Sequence, residues 1–403
     1  MTRAHAAMLP DGRRLHLQDG PIDLVIEAFG SPAAVQAAYA AAMRRFDGLL
    51  DELCSELPLL RAPARGEGKV LTGPVARRMY EAVAEHAEGG GQPSGLRHSG
   101  VLPSADPPSV VIPGLVPGTH SSPRSPTLHL PGRCMGSRHK AGNDFGEGGA
   151  LPHTAPFITP MAAVAGSVAD EILAAMLAGA SAAEGASGRE HSPLVDHPLS
   201  RAYVNNGGDI ALHLAPGERF RIGLVDRPDR PSLDASSLFA RTELSAADGV
   251  GGIATSGWRG RSFSLGIADA VTVLAATAAS ADAAATVIAN AVNLPGHPAI
   301  VRVPARDLAP DSDLGDRPVT RGVGPLTAQE IDEALTAGVA VAEDLCRRGL
   351  IAGAALHLAG ATRIVGIRFA GEIEAAGIAS PRAGVGTRGD GRDHDAADAV
   401  SSI

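Results

Sequence analysis

The feature that most constrains the fold is a proline- and glycine-rich segment, residues 88–152, which interrupts two helical patterns. Prolines and glycines recur through it too often for a helix to form. Apart from a short apolar run at residues 109–112, it shows no strand-like pattern. Because a structureless loop of this length is improbable inside a compact domain, we interpret it as a disordered insertion. The lack of any period also predicts a disordered tail, residues 366–403.

The rest of the chain has the composition of an ordinary folded protein. Of its 403 residues, 44% are hydrophobic but only 3% are aromatic, so aliphatic side chains must build the core. The net charge of -9 and the lack of a dense Lys/Arg run give no reason to expect nucleic acid as a partner. No segment has the uninterrupted apolar length of a membrane span, which predicts a cytoplasmic protein without a membrane partner. The three cysteines are odd in number and far apart, as expected for reduced thiols.

Hydrophobic periodicity predicts an α/β protein with mixed sheets flanked by helices. A hairpin is expected around Asp19-Gly20, since this dipeptide favours tight turns. Thr327 and Glu330 have the spacing of a capping box at a helix start. The predicted helices cover residues 32–57, 74–86 and 161–177 and follow Ser280 and Thr327; the predicted strands cover residues 14–18, 22–29, 202–204, 209–214, 219–225, 270–275, 299–303, 354–358 and 362–365.

A polar turn at residues 205–209 is the first candidate for ligand binding. Asn206, Gly207, Gly208 and Asp209 stand between two short apolar runs. Asn-Gly is a strong hairpin-turn signal, so a purely structural turn is one explanation of these residues. The alternative is that the paired glycines let backbone N–H groups approach a phosphate, as anion-binding turns do. Both roles remain open from the residues alone.

A second polar stretch follows at residues 252–274. Thr255, Ser256 and Gly257 lead into Arg259 and Arg261, and these hydroxyl and guanidinium groups suit a phosphate or a carboxylate. A nucleophilic serine needs a positioned base, and no histidine lies nearby in the sequence. We therefore expect this stretch to bind a ligand together with the first turn, and the catalytic residues are left unassigned.

Carboxylates near this stretch are candidate metal ligands. Asp282 and Thr286 are four residues apart, so they share a helix face and offer oxygen atoms to one hard cation. Asp269 is a third candidate, although a plain turn aspartate explains it slightly better. The alternative for Asp282 is that it complements the positive end of a helix.

Four segments together resemble an uncharacterised protein family within the ApbE-like superfamily. The quoted motifs are FITPMAAVAGSVADEIL at residues 157–173, NNGGDI at 205–210, ATSG at 254–257 and ADAAAT at 281–286. The resemblance implies an ApbE-like fold with mixed, largely antiparallel sheets flanked by helices, formed by residues 1–87 and 153–365. The best-known members of the superfamily transfer FMN from FAD to a threonine of a target protein and use magnesium.

The resemblance also implies roles for individual residues. Asp282 and Thr286 correspond to magnesium ligands, and Gly207 and Gly208 correspond to glycines beside a bound nucleotide. The expected ligand is therefore a phosphate-bearing small molecule such as FAD or FMN, bound with magnesium by a transferase. A non-catalytic flavin- or nucleotide-binding protein is the alternative, since residues 263–266 replace a histidine segment of the transferases and Gly166-Ser167 replaces their lysine. The third possibility is a degenerate gene product without this function.

Overall fold

The structure, a computed structural model, describes residues 4–64, 71–87, 111–112, 157–186, 198–225 and 238–366. Except for residues 111–112, the insertion predicted at residues 88–152 lies outside the described residues. The tail predicted at residues 366–403 also lies outside them, apart from its first residue.

The N-terminal part begins with the predicted hairpin. Strands β1 (His5–Met8), β2 (Leu15–Asp19) and β3 (Ile22–Gly30) follow one another along the chain. Asp19 pairs with Ile22 across the turn, where Gly20 has a φ of +55°. The hairpin expected from the sequence is therefore confirmed.

The helix predicted over residues 32–57 is wrong in its extent. Helix α1 begins after Ser31, whose hydroxyl accepts a hydrogen bond from the N–H of Ala34, and it ends at Phe46. Gly48 then has a φ of +76°, a left-handed conformation that an α-helix does not continue through. Apolar spacing runs on past this turn, which is why the sequence concealed it. The helices are α1 (Pro32–Phe46), α2 (Leu49–Ser55), α3 (Leu57–Leu60) and, as predicted, α4 (Pro74–Ala87).

The central part contains the long helix predicted over residues 161–177. A 3₁₀ turn over Pro160–Ala163 leads into this helix, which extends beyond residue 177. Thr159 precedes this turn but makes no capping hydrogen bond with its side chain, and its hydroxyl donates to Asp313 of a distant loop. The elements are β4 (Val111–Ile112), α5 (Val164–Ala186), β5 (Leu199–Asn206), β6 (Asp209–Leu214), β7 (Arg219–Val225) and β8 (Leu238–Ser245).

The C-terminal part alternates strands and helices. Thr327 and Glu330 form the expected capping box at the start of its longest helix. The other helix predicted in this part, after Ser280, begins three residues earlier, after Thr277. The elements are β9 (Gly252–Ser256), β10 (Ala270–Ala275), α6 (Ala278–Ala291), β11 (Ile300–Pro304), α7 (Ala305–Leu308), β12 (Pro318–Val323), α8 (Ala328–Arg347), β13 (Gly353–Leu358) and β14 (Ala361–Val365).

One large sheet organises these elements. Its nine strands have the order β1-β2-β3-β5-β6-β9-β10-β13-β14, and all neighbours pair antiparallel. Strands β11 and β12 form a separate antiparallel hairpin, and β7 pairs with β8 antiparallel and with β4 parallel. The predicted class, α/β with largely antiparallel sheets, is confirmed.

Different layers cover the two faces of the large sheet. Strand alternation places Val204, Ala211 and Ala254 on one face, where Val204 and Ala211 pack with residues of α1 and α5 and Ala254 packs with residues of α6 and α8. Ile210 and Ile253 lie on the other face and pack against Phe220, Ile222 and Leu244 of the β7–β8 hairpin. The candidate site lies on the helical face, where strand ends meet the N-termini of α5 and α6.

One helix meets the length and composition of a membrane span, contrary to the expectation from the sequence. It runs over Pro160–Gly185 and includes α5, and 44% of its most apolar window is buried within the protein. Its residues Val168, Ile172 and Met176 are fully buried in the core shared with α1 and β5. Core helices of folded proteins have the same length and composition, and the packing of α5 is of that kind.

Candidate functional site

The turn between β5 and β6 forms one wall of the candidate site. Gly207 and Gly208 have φ values of +66° and +112°, conformations that side-chain-bearing residues rarely adopt. The N–H of Gly208 donates to Oδ1 of Asn205 at 2.9 Å, and Nδ2 of Asn206 donates to the carbonyl of Ala165 at 3.1 Å. The turn is therefore tied to the start of α5, and the Gly208 N–H already has an internal acceptor.

Two aspartates join the N-termini of α5 and α6 to each other. Asp170 on α5 accepts hydrogen bonds from the N–H groups of Ala278 and Ala279 at 3.0 and 2.9 Å. In return, Oδ2 of Asp282 on α6 accepts one from the N–H of Gly166 at 3.0 Å. Each carboxylate thus caps the neighbouring helix, where unpaired N–H groups and the helix dipole both favour an anion. The sequence had allowed only the general possibility that Asp282 complements a helix terminus.

This contact depends on glycine. A Cβ atom at Gly166 would lie 2.2 Å from the carbonyl oxygen of Ala278. A Cβ atom at Gly252 of β9 would lie 2.1 Å from the N of Ala278. Both glycines let the start of α6 approach α5 and the sheet closely, and this approach sets where Asp282 lies.

Asp209 is the carboxylate that lies beside Asp282. Burial raises the pKa of Asp282 well above its usual range, and the neighbouring charge of Asp209 raises it further. Burial also raises the pKa of Asp209, opposed by a hydrogen bond from the N–H of Thr255 and by the charge of Arg261. Both side chains keep partial contact with solvent. We call these two carboxylates the paired-carboxylate site. A cation placed between them would relieve their repulsion.

A polar line extends from this site along α6. The buried positions of this helix are alanine, valine and isoleucine, whereas Asp282, Thr286 and Asn290 are half-buried and recur every four residues. Residues at this spacing lie on one helix face. At its far end, Oδ1 of Asn290 accepts a hydrogen bond from the N–H of Leu265 at 2.8 Å. Thr286 therefore shares the face of Asp282, as the sequence predicts.

The candidate ligand-binding residues at the end of β9 are divided between the two faces of the sheet. The hydroxyl of Thr255 bonds to that of Thr272 at 2.9 Å, while its N–H donates to Asp209. Ser256 alternates with Thr255 and is half-buried on the helical face. Gly257 permits close packing, since a Cβ atom there would lie 2.4 Å from the carbonyl oxygen of Asp269. Of Thr255, Ser256 and Gly257, only Ser256 thus offers its side chain on the face of the sheet where the paired carboxylates lie.

Asp269 is held by other groups. Its Oδ1 accepts hydrogen bonds from Nε1 of Trp258 at 3.1 Å and from Nε of Arg259 at 2.6 Å, and its Oδ2 accepts one from the N–H of Ala359 at 2.7 Å. We call Trp258, Arg259, Asp269 and Ala359 the Asp269 cluster. Arg259 also stacks on Trp258, with 4.6 Å from its guanidinium carbon to the ring centre. Arg259 and Asp269, expected to bind ligand and metal, thus bind each other.

Arg261 replaces Arg259 as the guanidinium near the turn. Its side chain is exposed, and a Cβ atom at Gly207 would lie 1.9 Å from its Nη2. Its charge also lowers the pKa of Asp209. Because Arg261 and Arg259 are two residues apart in a loop, sequence spacing does not show which one faces the turn. The sequence named Arg261 beside Arg259 as a candidate for phosphate binding, whereas Asp170 and Gly166 are site residues that sequence reasoning did not assign.

The donor set suits a hard cation but is small. Asp209 and Asp282 supply carboxylate oxygens, and Thr286 supplies a hydroxyl on the same helix face, as magnesium prefers. Across the described ranges, no group of three or more His, Cys, Asp or Glu side chains is arranged to hold a metal. Magnesium retains several waters and ligand phosphates in such sites, so two carboxylates fit that mode of binding.

Comparison with known proteins identifies the family. Residues 6–92 and 148–364 match the family model described as AbpE bacteria, and these ranges include most of the chain. The protein therefore belongs to this family. Residues 93–147 lie between the two matched ranges.

A relative of known sequence agrees with this placement. The chain is 35% identical over 133 residues to a UPF0280 protein of Methanococcus maripaludis strain C7. The alignment includes 33% of this chain and spans 45% of that protein, which is less than half of its length. Together the matches support the coarser expectation, an uncharacterised ApbE-related protein.

Proposed function

We propose that this protein binds a flavin- or nucleotide-type phosphate ligand together with magnesium at the paired-carboxylate site. The observation that carries the proposal is the meeting of Asp209 and Asp282 beside the Gly207-Gly208 turn, next to the exposed Arg261. Two carboxylates that repel each other favour a divalent cation, and a guanidinium group favours a phosphate. The ApbE-like resemblance assigns a nucleotide and magnesium to the same elements.

The residues of the chain have distinct roles in this proposal. Asp209 and Asp282 would hold the metal, with Thr286 as a further oxygen donor, and Arg261 would contact a phosphate oxygen. The N–H of Gly166 keeps Asp282 oriented, and the N–H of Thr255 does the same for Asp209. Magnesium, when bound, supplies neutralising charge to the ligand phosphates.

Calorimetry of ligand binding tests the proposal. FAD, FMN and ADP are titrated into the full-length protein with and without magnesium. We expect at least one of them to bind tenfold or more tightly with magnesium, and Asp282→Ala to abolish this difference. Asp307→Ala removes an exposed carboxylate from α7 and serves as the matched control. Absence of magnesium-dependent binding in the wild type would overturn the proposal, as would equal dependence in Asp282→Ala.

A transferase and a binding protein differ in what happens to FAD. In the transfer reaction, the phosphoanhydride bond of FAD breaks, FMN is joined to an acceptor hydroxyl and AMP leaves. A binding protein returns FAD intact, and the unassigned catalytic residues together with the replaced histidine segment favour this second candidate. Chromatographic detection of AMP after incubation with FAD, magnesium and a threonine-containing acceptor separates them. Failure to unfold cooperatively would instead favour a degenerate gene product.

A further inference from the structure

The β11–β12 hairpin lies against the far end of the polar line on α6. The N–H of Thr320 on β12 donates to the carbonyl of Ser264 at 2.9 Å, and the hydroxyl of Ser264 bonds to Oδ1 of Asn290 at 3.3 Å. A β-bulge between Val301 and Arg302 shifts the register so that Arg302 pairs with Thr320. Directly paired residues of antiparallel strands project to the same side, so Arg302 and Thr320 are neighbours.

Arg302 is a half-buried cation without a counter-ion. Its Nη2 donates to Oδ1 of Asn293, a neutral acceptor. Within the described ranges, no carboxylate lies within ion-pair distance of it, and burial lowers its pKa. By contrast, the partly buried Arg14 and Arg45 meet Asp11 and Glu171. A partly desolvated charge without a partner is unfavourable, and a bound anion would remove that penalty.

The hydroxyl of Thr320 is the second observation. This residue is 3% exposed, and in the part of the chain that the structure describes its Oγ1 has no hydrogen-bond partner. Buried hydroxyl groups are nearly always hydrogen-bonded, so an unpartnered one beside an unpaired guanidinium indicates a missing acceptor. Asn293 fixes the position of the guanidinium, because its own Nδ2 donates to the carbonyl of Leu265 at 3.3 Å.

We propose that Arg302 and Thr320, positioned by Asn293, form an oxyanion-binding site that takes a phosphate or carboxylate group. This proposal goes beyond the proposed function, since it concerns different residues at the opposite end of the polar line. Asn290 follows Asp282 by eight positions on α6, which corresponds to about 12 Å along the helix. An elongated ligand with two anionic groups would span both positions.

Titration with inorganic phosphate and with acetate tests the site without a known ligand. The experiment uses calorimetry on the full-length protein without magnesium. We expect saturable binding of phosphate, acetate or both in the wild type, and at least a tenfold loss in Arg302→Met. Arg321→Met is the matched control, because Arg321 is the exposed neighbour of Thr320 on the same strand. It should bind as the wild type does. The anion that binds more tightly identifies the class of ligand group.

Thr320→Val keeps the experiment decisive if Arg302→Met folds poorly. This change removes only the hydroxyl, so the unfolding midpoint should stay the same or rise while anion affinity falls several-fold. The proposal is overturned if the wild type binds neither anion, if Arg302→Met and Arg321→Met bind alike, or if Thr320→Val binds like the wild type. Success here with no magnesium coupling at Asp282 would leave this site standing and remove the proposed function.

Discussion

The paired-carboxylate site and the Asp269 cluster show opposite ways of keeping an aspartate inside a protein. In the Asp269 cluster, an indole N–H, a guanidinium and a backbone N–H surround one carboxylate. In the paired-carboxylate site, burial and the neighbouring Asp209 raise the pKa of Asp282, and among the described residues only Arg261 brings a positive charge near Asp209. The first arrangement surrounds one carboxylate with donors, whereas the second places two carboxylates side by side.

The comparison teaches that residue type and position in sequence do not distinguish the two roles. Asp269 and Asp282 were both candidates for metal binding from the sequence. Their neighbours separate them, because hydrogen-bond donors satisfy Asp269 and a second carboxylate opposes Asp282. Four changes break or sharpen this contrast.

Asp269→Ala should have the largest effect on stability. It removes a buried carboxylate that accepts hydrogen bonds from the Ala359 N–H and the Trp258 indole N–H, and the loss of these two charge-assisted hydrogen bonds should cost about 2–4 kcal/mol together. Asp282→Ala should cost much less, because the loss of the Gly166 hydrogen bond is offset by the end of its repulsion with Asp209. Urea unfolding of both variants measures the difference. Equal losses would show that Asp282 is as structural as Asp269.

Gly166→Ala should disturb the paired carboxylates through packing. The new Cβ atom would lie 2.2 Å from the carbonyl oxygen of Ala278, so α5 and α6 must separate. Overpacking of this kind costs about 1–3 kcal/mol. Gly185→Ala in the same helix is the control, since no atom lies within 4 Å of its Cβ position. Thermal unfolding of the two variants should therefore differ, and two equal midpoints would contradict the close approach.

Asp282→Asn should change the pH dependence of stability. A carboxyl whose folded pKa is raised contributes stability that is fully present below its unfolded pKa, near 4, and is lost as pH rises through the folded pKa. The free energy of unfolding of the wild type relative to Asp282→Asn should thus fall as the pH rises from 4 to 8. Denaturant titrations across this range measure it.

His86 titrates in the same range, with its pKa lowered by burial to about 4, and it cancels because it is present in both proteins. Asp209 and Asp170 interact with Asp282, so the difference between the two proteins reports the titration of these carboxylates together. A constant difference between wild type and Asp282→Asn would mean that Asp282 titrates normally. Adding magnesium at pH 8 should stabilise the wild type more than the variant.

Arg259→Ala should have the smallest effect. Its side chain is 33% exposed, and partly exposed ion pairs contribute about 0.2–1 kcal/mol. Asp269 keeps its bonds to Trp258 and Ala359, so the loop should remain in place. Trp258 is the only tryptophan of the chain, and its fluorescence should report the loss of the stacked guanidinium. A large loss of stability would place Arg259 among the main supports of the fold.

Local patterns in the sequence were sufficient for several elements. The Asp19-Gly20 turn, helix α4 and the Thr327–Glu330 capping box each depend on residues within one or two turns of chain. Residues 206–209 form a tight turn for the same reason. The position of Gly48 shows the limit, because an apolar period continued across a glycine that the folded chain uses to change direction.

The candidate site was predictable only in part. Asp282 and Thr286 share a helix face, which follows from their spacing. The meeting of Asp282 with Asp209 does not follow, since it depends on strand pairing and on the close approach at Gly166 and Gly252. The choice between Arg259 and Arg261 likewise depends on how a loop folds back. Contacts between distant segments carry no periodic signal, so only the folded structure reveals them.

The exchange of caps between α5 and α6 has a consequence for the dynamics of the chain. The amides of Gly166, Ala278 and Ala279 are protected by side chains of the opposite helix. If one helix start opens, it exposes the amides of the other to deuterium. The segments before and after the β5–β8 region should therefore exchange as one cooperative unit, although more than 100 residues separate them along the chain.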